Sequence, residues 1–102
     1  MNDVEFLPSD KGSFVIQENN ERLAEMVVSQ VGEDLIVYHT GVLERLQGQG
    51  LGQQLIEAMV NYAREHQLSV TTYCPFVKAR FQADEAQYTD IWKKGQPQLK
   101  FL

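Results

Sequence analysis

Three glycines in five positions mark the run Gln47-Gly48-Gln49-Gly50-Leu51-Gly52 as the part of this sequence best suited to chemistry. Without a Cβ, the backbone of such a run can come close to a ligand. Where the run opens a helix, the first amides have no partners within it and the helix dipole favours negative charge there. Together these features make a cradle for phosphate. Glycine-rich turns also join strands to helices without binding anything, so the surrounding elements must decide. The run is not a P-loop, because neither Lys-Ser nor Lys-Thr follows its last glycine. A dinucleotide fingerprint requires a different glycine spacing and a longer parallel array.

Two side chains elsewhere carry reactive groups. His39 holds an imidazole that accepts a proton near neutral pH, although a lone histidine in a strand is more often structural. Cys74 is the single cysteine. It excludes an intramolecular disulfide and any zinc site built from cysteines, and no metal site is expected. His66 falls at a helix end, where it would cap carbonyls.

The elements that must position these groups follow from periodicity. Residues 13–17, with Phe14, Val15 and Ile16, read as a strand, and Asn19-Asn20 supplies a turn tolerant of positive φ. Residues 22–31 alternate apolar and polar side chains as a second strand. Gly32-Glu33-Asp34 makes a hairpin turn into a third strand over residues 35–40, rich in β-branched and aromatic side chains. From Gly50 to His66 the pattern becomes helical, with Leu51, Leu55, Met59, Tyr62 and Ala63 on one face. Residues 69–73 form a fourth strand. Pro75 suits a helix's first turn, predicting a helix over residues 75–82 and a further helical turn over 85–92. Residues 1–10 read as a loose lead-in, and Gly95 and Pro97 as an irregular tail. The helix after the glycine run is a crossover, so the strands flanking it can lie parallel. The expected fold is α+β: a small mixed β-sheet with a β-loop-α-β unit at its centre.

The chain has 102 residues, which fits one domain spanning residues 1–102 with a thin core. Its net charge of −5 argues against a nucleic-acid binder, while leaving room for a local basic pocket. The free thiol, the absence of a signal-peptide pattern and the lack of any membrane-length apolar run predict a cytoplasmic protein that needs no membrane. Oligomeric state is not legible.

Gln47-x-x-Gly50-x-Gly52 is similar to the (Gln/Arg)-x-x-Gly-x-(Gly/Ala) motif of the GNAT acyltransferase superfamily. His39-Thr40-Gly41-Val42, Tyr62-Ala63-Arg64-Glu65 and Cys74-Pro75-Phe76-Val77 extend the likeness over about residues 14–92. In this order they resemble a minimal, single-domain branch of that superfamily. Two departures fall on the substrate side. Gly41 stands where the branch usually has Glu, and Asp84-Glu85 where it tends to have His-Pro.

The resemblance implies an N-acetyltransferase that uses acetyl-CoA as cosubstrate and an amine as acceptor. Gln47, Gly48, Gln49, Gly50, Leu51 and Gly52 would hold the CoA pyrophosphate through backbone amides, and a strand amide at Val42 or Leu43 would stabilise the oxyanion. Lys78 and Arg80 would meet CoA phosphates if their helix faces the cosubstrate, and are otherwise a solvated basic patch. Tyr73 and Tyr88 would act as acids or simply pack. Cys74 would protonate the departing thiolate or briefly carry the acyl group, the alternative being a buried small hydrophobe. By strand parity His39 shares a face with Leu35 and Val37, so His39 and Cys74 are expected to flank one thioester. A bulge or splay would change that. The other functional class is a non-catalytic acyl-CoA-binding or sensing module, suggested by the small size and by Gly41.

Overall fold

The computed structural model describes residues 4–7 and 12–93. Five strands, β1 (Val4–Leu7), β2 (Gly12–Glu18), β3 (Glu21–Val31), β4 (Asp34–Val42) and β5 (Ser69–Thr72), form one sheet in the order β1-β2-β3-β4-β5. The first three pairings are antiparallel and β4–β5 is parallel. A single 3-10 turn (Glu44–Leu46) leads to α1 (Leu51–Glu65), the crossover from β4 to β5. Then α2 (Pro75–Ala83) and the short α3 (Glu85–Tyr88) follow. This is the expected mixed sheet with its β-loop-α-β unit.

The expected lead-in is corrected in part. Val4–Leu7 pairs with β2 as an edge strand, because Val4 and Phe6 lie opposite Ile16 and Phe14 and pack against the core. The rest of the lead-in, and the tail carrying Gly95 and Pro97, lie outside the described residues. The turn expected at Asn19-Asn20 has positive φ at both residues, 53° and 67°, which matches the twist of a tight hairpin. The last helix is shorter than the expected span over residues 85–92. After Tyr88 the chain turns and lays Trp92 beside Val70, where the Val70 amide donates to Ile91 and the Lys93 amide to Val70. That segment satisfies the outer edge of β5.

The core lies on one face of the sheet. From α1, Leu55, Ile56, Met59 and Ala63 are fully buried against Ile16, Met26, Leu35 and Val37. Their i, i+4 spacing on α1 and period-2 spacing on the strands explain both elements. Each of the leucine, isoleucine, methionine and valine side chains contributes about 1.5–3 kcal/mol by leaving water, and the Ala63 methyl correspondingly less. Val77, Phe81, Tyr88 and Ile91 extend the same cluster, so α2 and α3 share that face with α1.

The far end of α1 is tied down by Arg64. Its guanidinium donates to both oxygens of Asp90, at 2.9 and 3.2 Å, and to the Gln87 carbonyl at 2.6 Å. The hydrogen bond from Arg64 holds the Asp90 carboxyl below its usual range, and the same bond raises Arg64. A carboxyl depressed in the folded state stabilises the fold above its unfolded value near ~4 and loses that contribution as pH falls through the folded value. Both side chains are well exposed, which limits the pair to about 0.2–1 kcal/mol. Asp90→Asn should therefore lower urea stability by no more than about 1 kcal/mol at pH 7. The gap from wild type should close as pH falls below the unfolded carboxyl value of about 4. A gap that persists unchanged in acid would contradict the assignment.

Candidate active site

β4 is paired on both edges only in its first half. Its register with β5 runs from Asp34↔Ser69 to Val37↔Thr72 and closes with the Tyr73 amide donating to Val37 at 2.8 Å. From Tyr38 to Val42 its inner edge pairs with β3 alone. The two parallel strands thus part at their C-terminal ends, beside the glycine run that opens α1.

A bulge sits where they part. Val28 opposes Val37, but Val27 opposes His39, so Tyr38 is an extra residue on β4. Two consecutive residues of such a bulge fall on the same side, and the alternation beyond it is reversed. Tyr38 and His39 therefore both lie on the face away from the helices. Tyr38 exchanges a hydrogen bond with Ser29 at 2.9 Å and stacks on the exposed Tyr73, while His39 is exposed. The side chain that turns to the helix side is Thr40, opposite Met26 of the core.

This corrects the expected pairing of His39 with Cys74. The parity argument runs unbroken only to Val37; the bulge sends His39 to the opposite face. Cys74 is in the core at 3% exposure, and its thiol donates to the Thr40 hydroxyl at 3.4 Å. The buried-hydrophobe reading of Cys74 fits this burial, and Thr40 stands where His39 was expected.

A cavity of about 550 Å³ occupies the helix side of the parted strands. Thr40 and Val42 line one end of it, Gln47, Gly48, Gly50, Leu51, Gly52 and Gln53 another, and Phe76 and Arg80 of α2 the third. Arg80 lies over the Phe76 ring at 5.2 Å. Lys78 is exposed and does not line the cavity. Tyr88 is buried and stacked on Phe81, and the ring of His66 packs on Tyr62.

The glycine run has the geometry of an anion cradle. Gly48 and Gly50 have φ of +83° and +84°, a turn that L side chains rarely adopt. Gly50 is the N-cap of α1, with no side-chain cap. The first bond into the helix is the Gln54 amide to Gly50. Among the described residues nothing accepts from the amides of Gly48, Gln49, Gly50, Leu51, Gly52 and Gln53. Gln47 differs, because its amide is given to Glu44. Gly52 is glycine for another reason: a Cβ there would stand 2.7 Å from the Phe76 ring.

On the open edge of β4 the two expected amides separate. Leu43 donates to the Leu23 carbonyl at 2.9 Å, on the β3 side. Successive strand amides point to opposite edges, so the Val42 amide points into the gap. Val42, not Leu43, retains a donor for a ligand. Sequence reading missed Thr40 and Phe76. The run Tyr38-His39-Thr40 has no purely aliphatic residue to betray the change of face, and Phe76 reads as an ordinary helix residue.

A second cavity of about 570 Å³ lies at the opposite end of α1, lined by Glu33, Arg64, Ser69 and Asp90 among others. Its guanidinium and carboxylate are already committed to each other. Nothing there resembles the row of open amides.

Residues 13–91 match the family described as GCN5-related N-acetyl-transferase. No curated protein sequence matches the chain significantly. Among solved structures, the NMR structure of a GCN5-like protein of Staphylococcus aureus is 32% identical, with a TM-score of 0.68, over 88% of this chain and 86% of that one. The ribosomal-protein-S18-alanine N-acetyltransferase of Escherichia coli shares the fold at 17% identity and a TM-score of 0.61. The match covers 74% of this chain but only 52% of the enzyme, so this chain spans about half its length. The ribosomal-protein-alanine N-acetyltransferase of Brucella melitensis shares it at 12% identity and a TM-score of 0.62, over 91% and 72% of the two chains.

The burial of Cys74 has a direct consequence. In the native protein its thiol should react with a disulfide reagent at least about tenfold more slowly than in denaturant, as expected of a buried thiol. Equal rates would show that the thiol reaches solvent and that the cavity extends to it.

Proposed function

The chain belongs to the GCN5-related N-acetyltransferase family, and from that premise we propose that it transfers an acetyl group from acetyl-CoA to a primary amine at the cavity between the glycine run and the parted ends of β4 and β5. The observation that carries this reading is the row of open amides from Gly48 to Gln53, of which Gly48, Gly50, Leu51, Gly52 and Gln53 line that cavity while Gln49 faces the side of Glu21 and Arg45. Their donor chemistry fits a pyrophosphate, which accepts hydrogen bonds from a helix start and is favoured by its dipole. Arg80 adds a positive charge on the same wall.

When bound, acetyl-CoA supplies an activated acetyl thioester. The chain's residues do the rest. The amides of Gly48, Gly50, Leu51, Gly52 and Gln53 and the side chain of Arg80 fix the phosphates. The Val42 amide, on the unpaired edge of β4, meets the oxygen on which charge develops as an amine attacks. Removing a single donor of this kind typically slows such reactions by ~100-fold to 1,000-fold.

We also place the chain in the minimal, single-domain branch of the family. The near-complete mutual coverage with the Staphylococcus aureus protein supports this. The protein is expected to act in the cytoplasm; no described helix is long and apolar enough to cross a membrane. A binding or sensing role is the second reading. It is favoured by the cavity wall, where Arg80 is the one ionisable side chain among the described residues and no general base stands.

Two experiments test the proposal. Gly50→Gln places a side chain at a left-handed position that costs an L residue about 1–2 kcal/mol, and fills the space before the amides. Calorimetry should show CoA affinity reduced by at least about tenfold in a variant that still melts cooperatively, a loss of ~1.4 kcal/mol. Unchanged affinity would move the site elsewhere. Release of free thiol from acetyl-CoA, measured with a polyamine, an aminoglycoside, a peptide amino terminus and a lysine side chain in turn, separates enzyme from sensor. Release with none of these amines, alongside CoA binding, would favour the sensor.

A further inference from the structure

The geometry points to Thr40 as the side chain that contacts the thioester sulfur, with Cys74 as the residue that positions it. This inference rests on the reading of the cavity as the acetyl-CoA site. Thr40 is the only hydroxyl on the cavity wall among the described residues. It reaches the helix side solely because the bulge at Tyr38 reverses the alternation of β4. It stands at the point where β4 and β5 separate, across the gap from the start of α2.

The hydrogen bond from Cys74 sets the direction of that hydroxyl. A threonine oxygen has one proton to give and two lone pairs to receive with. The buried thiol gives its proton to Thr40 Oγ1 at 3.4 Å and so takes up a lone pair. No described group accepts from Thr40, so its own O–H is left to point into the cavity. The backbone that carries the thiol is itself held in place. The Cys74 amide donates to Thr72 Oγ1 at 3.0 Å, and the Thr72 hydroxyl donates to the Cys74 carbonyl at 3.3 Å. Thr72 at the β5 end therefore fixes the residue whose thiol bonds Thr40, and Thr40 keeps the last donor.

In the transfer, the amine nitrogen bonds to the carbonyl carbon and the carbon–sulfur bond breaks, leaving its electron pair on sulfur. The nitrogen loses one proton and the sulfur gains one, so the exchange balances without another reactant. The Val42 amide lies on the unpaired strand edge for the carbonyl oxygen. Thr40 donates its hydrogen bond to the sulfur as negative charge builds there. In this arrangement Cys74 stays in the core, at 3% exposure, and acts through Thr40 rather than by carrying the acyl group. His39, on the other face, has no contact with the leaving group.

The test compares Thr40→Val, Thr40→Ser, Cys74→Ala and Cys74→Ser with wild type. CoA binding is followed by calorimetry and thiol release from acetyl-CoA with the fastest amine of the panel. Thr40→Val should lower kcat by about tenfold or more while CoA affinity changes less than about threefold, since the bond is realised in the transition state. Thr40→Ser should recover most of the rate. Cys74→Ser, which can still donate to Thr40, should stay close to wild type, and Cys74→Ala should fall below it. A Thr40→Val enzyme that binds CoA and turns over at the wild-type rate overturns the inference. So does a Cys74→Ser enzyme as slow as Thr40→Val, which would make the thiol itself the reacting group. A structure of the wild-type protein with CoA decides independently of any variant: the CoA sulfur lies within hydrogen-bond reach of Thr40 Oγ1, or the inference fails. If CoA does not bind at all, it is the acetyl-CoA reading of the cavity that has failed.

Discussion

The Tyr73 amide donates to the Val37 carbonyl at 2.8 Å, and among the described residues no backbone hydrogen bond joins β5 to β4 beyond it. Upstream of that bond, β4 is an interior strand whose Leu35 and Val37 are sealed under α1. Downstream it becomes an edge with unpaired groups facing a gap. An edge is ordinarily a liability that proteins cover or bend away. Here the chain itself bends: β5 ends, Pro75 starts α2, and the glycine run swings α1 over the space between. The cavity is what remains when two parallel strands share a crossover helix but not their last residues.

Much of this was legible in the sequence. The helix over α1 and the crossover follow from apolar spacing and from the glycines that open it. The spacing marks Gly50 as a ligand-facing glycine, and its φ of +84° at the N-cap gives it a physical need to be glycine. The spacing marks Gly52 the same way, yet its constraint is the Phe76 ring, a contact between residues far apart in the chain. Spacing cannot reveal such a contact. The strand at Val4–Leu7 was missed because four residues, two of them facing the core, give too short a pattern to distinguish from a lead-in.

The instructive failure is His39. Counting by twos from Leu35 places it over the core, and nothing in Tyr38-His39-Thr40 signals an inserted residue. A bulge is a property of two strands together, and its register with β3 became visible only once Val27 and Val28 had partners. The error was local but complete, since one extra residue exchanges the two faces for everything that follows. It removed an imidazole from the cavity and put a hydroxyl in its place. Charge followed a similar logic. A net charge of −5 argues against a broad anion-binding surface, but a cradle of backbone amides with a single guanidinium needs none.

The most direct test of this account is the backbone amide spectrum of the isotopically labelled protein as CoA is added. Amides that take up a phosphate or border the gap should shift most: Gly48 to Gln53 at the start of α1, together with Thr40 and Val42 on β4. Shifts concentrated instead around Arg64, Ser69 and Asp90, at the other end of α1, would place the ligand in the opposite cavity and contradict it.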